Sequence, residues 1–191
     1  MRFYQNIQQV ELDVDEVIRA KRFAEAVVGT TDYSDSNQSF REKIQQDHFI
    51  SKLGEEAAKK VLQAYGEVRG PDYRIYGAAA KSWAADLQVN GIELAVKTQA
   101  GSSAIKYGRS WTFQDGTTRR DAILDKPDAW VVFVVFDDGQ PYRFLVYPPY
   151  QLRELLFGAP KLAHLKGSKK VVYADSLPLV SPDTISAIFT P

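Results

Sequence analysis

Apolar and polar residues alternate most cleanly over residues 85–99, where two short runs flank Asn90-Gly91. That dipeptide between alternating runs is the strongest short-range signal for a two-residue β-hairpin. A type I′ turn there pairs Val89 with Ile92, Gln88 with Glu93, Leu87 with Leu94 and Asp86 with Ala95. Side chains alternate along a strand, so Asp86, Gln88, Glu93, Ala95, Lys97 and Gln99 share one face. Leu87, Val89, Ile92, Leu94 and Val96 fill the other, which predicts a core side and a polar side.

The pattern elsewhere predicts helices before the hairpin and strands after it. Residues 1–12 read as an extended lead-in. Asp13 with Glu16 forms a capping-box signature, and a helical stripe from Val17 to Val28 ends at Gly29. A polar loop around Tyr33 follows. Ser39 with Glu42 repeats the box and opens a longer helix whose stripe is Ile50, Leu53, Ala57, Val61 and Tyr65, with Gly66 ending it. Residues 67–85 are turn-rich, with a short strand expected near 73–76. Residues 100–110 read as a loop, Trp111-Thr112-Phe113 as a short strand and Asp115-Gly116 as a turn. The unbroken apolar run from Ala129 to Phe136 suits a central strand buried on both faces. Asp138-Gly139 turns the chain, and Tyr142 to Tyr147 returns as its antiparallel partner. Pro148-Pro149 stops that strand, Tyr150 to Phe157 reads as a helix, Val171-Val172-Tyr173 as a late strand, and Ser181-Pro182 as the start of a small terminal helix.

This order predicts one α/β domain with a mixed sheet over the 191 residues. Residues 1–38 form a helical extension, 39–157 the core and 158–191 a C-terminal strand and helix. With no cysteine, disulfides, thiolate zinc sites and cysteine nucleophiles are excluded, and a cytoplasmic setting is the simplest expectation. No apolar run approaches the roughly 20 residues that span a bilayer, so a membrane partner is not expected. The two histidines, His48 and His164, argue against a histidine-metal nuclease or a Ser-His-Asp site. No phosphate-binding glycine loop occurs. Lysine plus arginine balance aspartate plus glutamate at 24 each, but residues 97–170 carry five more basic than acidic groups while residues 1–56 carry four more acidic ones. The later half therefore suits a polyanion.

Two carboxylates at directly opposed strand positions have Cβ atoms about 4.5–5.5 Å apart, close enough to share one Mg²⁺. A lysine one side-chain repeat further on can orient a water or offset phosphate charge. In this pattern the chain resembles the PD-(D/E)xK nuclease superfamily, the restriction-endonuclease-like fold. Asp86 matches the metal-binding aspartate, and Val96-Lys97 match the end of its acid-x-Lys strand. Gly54-Glu55 resembles the Gly-Glu on the family's first core helix. Ser110-Trp111-Thr112-Phe113-Gln114 after the hairpin is similar to phage-encoded members. The likeness runs over about residues 48–157.

The resemblance implies a restriction-endonuclease-like mixed sheet flanked by helices and a DNA endonuclease using Mg²⁺ or Mn²⁺. Asp86 and Glu55 would hold metal, Lys97 would act on the water and phosphate, and Gln99 would extend the site. The match favours Glu55 over Glu56, which reads as a surface carboxylate. Position 95, where the family carries an acid, is Ala95. Glu93 shares that face about 6–7 Å away and is the nearby substitute metal ligand. Lys106, Arg109, Arg119 and Arg120 suit DNA phosphates, and Trp111 suits stacking on a base. A homodimer is expected by analogy with the fold. The alternatives are a Holliday-junction or branched-DNA resolvase, and a catalytically silent DNA- or protein-binding module.

Overall fold

The hairpin forms in the expected register. A computed structural model of the chain describes residues 2–28, 40–76, 85–117, 119–137 and 143–178. Strand β3 (Leu87–Val89) pairs with β4 (Ile92–Ala100) through Leu87–Leu94, Gln88–Glu93 and Val89–Ile92. Asn90 and Gly91 have φ of +48° and +83°, the left-handed values that a type I′ turn demands and that Asn and Gly tolerate best. The turn is anchored from outside: Asn90 Oδ1 accepts from the Glu67 N–H at 3.0 Å, and its Nδ2 donates to Tyr65 O at 3.3 Å. Leu87, Val89, Leu94 and Val96 are buried. Ile92 is 37% exposed, because the strand has only just left the turn and the apolar face is not yet covered.

Seven strands make one mixed sheet in the order β1-β7-β6-β4-β3-β2, with β8 also pairing to β6. Its members beyond the hairpin are β1 (Gln8–Glu11), β2 (Val68–Arg69), β6 (Trp130–Asp137), β7 (Arg143–Val146) and β8 (Tyr150–Gln151). The lead-in thus becomes an edge strand on β7, and the short strand expected near 73–76 lies earlier, at β2. Strand β4 runs parallel to β6, and a parallel pair needs a crossover. Helix α3 (Gly101–Tyr107) supplies it where a loop was expected. Seven residues rich in Gly and Ser carry almost no intrinsic helical signal; packing of Ala104 beneath the sheet decides the conformation.

Strand β6 confirms its two-sided burial by splitting its side chains between two cores. Val132, Val134 and Phe136 face helices α1 (Val14–Val27) and α2 (Arg41–Leu62). Val131, Phe133 and Val135 face a second sheet, a ribbon of β5 (Ser110–Gln114) and β9 (Lys169–Tyr173). The long helices therefore cover one face, and the ribbon with α3 covers the other. The α/β class holds, with long helices on a single side.

The capping box on α1 is present: Asp13 Oδ1 accepts from Glu16 N–H at 2.9 Å and Glu16 Oε2 from Asp13 N–H at 2.8 Å. Helix α2 starts after Phe40 without a side-chain cap. The predicted helix at 150–157 is absent. Tyr150 instead pairs with Val131 as a buried strand residue, and only Leu152–Glu154 form a 3₁₀ turn. A buried aromatic wedged against β6 outweighs a weak helical stripe. Gly29, the loop around Tyr33, Ser39, the Asp138-Gly139 turn, Tyr142 and the Ser181-Pro182 helix lie outside the described residues. None of the described helices is long and apolar enough to cross a membrane.

Candidate active site

Helix α2 reaches the hairpin at Gly54. A methyl group built on Gly54 would lie 2.8 Å from Thr98 Cβ on β4, and closer still to its hydroxyl. Glycine is thus what lets the helix backbone lie directly on the strand. The next residue, Glu55, is carried to the same side as Asp86. It is 3% exposed, with Lys52 Nζ donating to Oε2 at 2.5 Å and Ser51 Oγ to Oε1 at 3.3 Å. Burial first, and then the Asp86 charge, raise its pKa to about 7, against the opposing pull of Lys52.

Asp86 lies just outside the ladder, one residue before β3 begins. In a two-residue hairpin the hydrogen-bonded pairs alternate outward from the turn, so the Val96 N–H points toward β3. With the ladder stopped at Leu87, Asp86 Oδ2 takes that N–H at 2.7 Å. The carboxylate is tied to the strand bearing Ala95 and Lys97. Its pKa is raised by burial, which the Val96 N–H and the charges of Lys52 and Lys97 oppose and Asp121 reinforces.

Lys97 Nζ stands over the Phe113 ring, 4.8 Å from its centroid, and donates to Asp121 Oδ2 at 2.7 Å. Asp121 is a site residue that the sequence reading missed. It follows β5 on a return stretch held by Asp121 N–H to Gln114 O at 2.9 Å and Gln114 N–H to Asp121 Oδ2 at 3.2 Å. Its partner lies 24 residues upstream, so no spacing rule could have joined them; the only local signal was an acid beside two arginines.

Asp86, Glu93, Ala95, Lys97, Gln99 and Asp121 line one cleft of about 1080 Å³. One wall is the N-terminal half of α2, and the other is the β5–β9 ribbon. The lysines and arginine on it are Lys43, Lys97, Arg119, Lys126, Lys161 and Lys169.

The remaining expected site residues are placed differently. Glu93 is exposed and paired across the hairpin with Gln88, short of the position that Ala95 fills. Both polar ends of the Gln99 side chain are spent on backbone: Nε2 donates to Gly108 O at 3.1 Å, and Oε1 accepts from Ser110 N–H at 2.9 Å. Trp111 is 2% exposed, stacked on Phe133, with its indole N–H on Val134 O at 3.0 Å; neither ring face is open to a base. Arg109 is half-buried and donates to the Tyr147 hydroxyl at 3.3 Å. Arg120 is held by Asp115 and Asp125, and Lys106 lies exposed on α3 outside the cleft. Of the five expected DNA contacts, Arg119 and the buried Trp111 line the cleft. Glu56 is not on the surface: it is 1% exposed, accepting from the Tyr73 hydroxyl at 2.9 Å and paired with Arg19 at 3.1 Å.

Mg²⁺ takes oxygen ligands, commonly one or two carboxylates completed by waters and phosphate. Glu55 and Asp86 fit that smaller set. Both are oxygen donors whose charged forms are disfavoured by burial and by a neighbouring carboxylate, a condition that a cation reverses. They do not fit an all-protein cage. Among the described residues no three His, Cys, Asp or Glu are grouped closely enough to hold a metal ion. The chain matches no protein-family model, no curated protein and no solved structure.

Proposed function

We propose that the chain is a metal-dependent DNA endonuclease that hydrolyses phosphodiester bonds in this cleft. The observation carrying the reading is the seating of Asp86 on the Val96 N–H, one residue before Lys97 and within the field of Glu55. Asp86 and Glu55 would hold the cation, which supplies Lewis-acid polarisation of the phosphate when bound. Lys97 offsets the negative charge that develops on phosphorus oxygens and orients the attacking water. Asp121 points the Lys97 ammonium, which lies over the Phe113 ring.

Ala95 favours a second reading, a binding module that keeps the site's shape without cutting. Supercoiled, branched and single-stranded DNA incubated with Mg²⁺ or Mn²⁺ separate the two. Under the endonuclease reading, Lys97→Ala loses about a hundredfold in rate, and Ala95→Glu or Ala95→Asp cuts at least about tenfold faster than the native chain. If the native chain and both Ala95 variants leave every substrate intact, the hydrolytic reading is wrong. Binding without cutting would select the silent module. Preference for branched over linear DNA would select a resolvase.

A further inference from the structure

The ribbon wall of the cleft sorts its cations by strand parity. On β9, Lys169 and Lys170 are adjacent, so their side chains leave opposite faces. On the return stretch after β5, Arg119 and Arg120 do the same. Lys170 and Arg120 converge on one carboxylate, Asp115, at 3.0 and 2.9 Å, and Arg120 also holds Asp125. All of these turn away from the cleft. Lys169 and Arg119 turn into it, and among the described residues neither side chain makes an ion pair or a hydrogen bond.

The backbone register brings those two groups together. Lys169 pairs across the ribbon with Gln114, and Gln114 is bonded through both its N–H and its C=O to Asp121. Arg119 precedes Asp121 by two residues and so shares its face. The carboxylates that act on Lys169 are Asp47, on the α2 wall, and Asp121, and each already has a lysine of its own, Lys43 on Asp47 and Lys97 on Asp121. A half-buried ammonium without a direct counter-ion is costly, and it is made worse by an arginine alongside. Burial, and then the charges of Arg119 and Lys97, accordingly hold the Lys169 pKa below the ordinary lysine value, against Asp47 and Asp121. A bound anion would remove that penalty.

We propose that Lys169 and Arg119 form a phosphate-binding site on the ribbon wall, which grips a backbone phosphate of a nucleic-acid strand beside Lys97. Arg119 offers a planar fork of donors and Lys169 a point charge, the pair of chemistries suited to a phosphodiester's two free oxygens. The nucleic-acid source of that phosphate rests on the proposed function; the anion site itself does not.

Fluorescence anisotropy with a labelled DNA duplex, and a single strand of the same length, tests the site across a range of salt. Lys169→Ala and Arg119→Ala should each weaken binding by about tenfold at low salt and reduce the salt slope by about one. Lys169→Arg should retain most of the affinity, and Lys21→Ala, on α1, should leave it unchanged. Unaltered thermal melts keep misfolding apart from lost contacts. A parallel titration with inorganic phosphate, followed by NMR, distinguishes a site for free phosphate from one that needs the strand. Binding of phosphate alone, abolished by the two alanine variants, keeps the anion site and overturns its nucleic-acid source. Equal affinities in native and variant chains, or no binding of either probe, overturns the site. DNA binding that depends on this pair without any cleavage sinks the hydrolytic reading but leaves the site standing. Cleavage and binding indifferent to the pair do the reverse.

Discussion

Glu55 and Glu56 stand one residue apart on α2, both buried, yet the structure holds them in different ways. Glu56 faces the N-terminal helix. Arg19 from α1 and Tyr73 from the loop after β2 close on its Oε1, and Lys59 lies 3.6 Å from Oε2. Its negative charge joins three separate parts of the chain. Glu55 faces the hairpin, where the next carboxylate, Asp86, repels it and, among the described residues, Lys52 is its one close cation. A step of about 100° around the helix separates a carboxylate used as a fastener from one held under electrostatic tension. Burial of a charge therefore says little about its role until its partners are known.

The largest effect separating the two should be seen with pH. Glu55 has a folded pKa raised to about 7 from 4.5, so the folded state holds its proton more tightly than the unfolded state between those values. Stability contributed by the neutral form is then full below about pH 4.5 and declines as pH rises toward 7, by roughly 3 kcal/mol. Urea unfolding at pH 4.5, 6 and 7.5 should show this decline in the native chain and a much shallower one in Glu55→Gln. Parallel curves for the two chains would remove the contrast drawn above. Millimolar Mg²⁺ should flatten the native curve if the cation binds Glu55.

Glu56→Ala should destabilise at pH 7.5 by about 2 kcal/mol, the usual worth of hydrogen bonds to a charged group. Arg19 is nearly half exposed and regains water, which keeps the loss below that of a sealed ion pair. An unchanged urea midpoint would show that Glu56 fastens nothing. The smallest effect is expected for Gly54→Ala. Crowding against the β-branched Thr98 costs about 1–3 kcal/mol, offset by up to about 1 kcal/mol of helix propensity. Because that contact seats Glu55 beside Asp86, the variant should also lower the Glu55 midpoint seen by NMR. A stability change with no shift in that midpoint would mean that the helix seat does not control the carboxylate.

Much of the site's frame was legible in local sequence because it depends on short-range geometry. Asn-Gly needs positive φ at both turn positions, so residues 90 and 91 set the register, and the register sets which side of the hairpin carries Asp86 and Lys97. The Asp13–Glu16 box and the two-sided burial of β6 follow from equally local rules. Tertiary structure alone decided the rest. Helical periodicity leaves Glu55 and Glu56 equally placed on the flanks of the apolar stripe, and only the packing of Gly54 on Thr98 turns one of them toward Asp86. The pairing of Lys97 with Asp121, the conversion of residues 101–107 to a crossover helix, and the strand and 3₁₀ turn at 150–154 all depend on neighbours far away in sequence. The same is true of the sorting of Arg119 and Lys169 onto the cleft wall, since parity assigns a side chain to a face but only ribbon pairing decides what that face meets. Hydrophobic alternation determines which way a residue points; what it points at is set by contacts whose energies no local window contains.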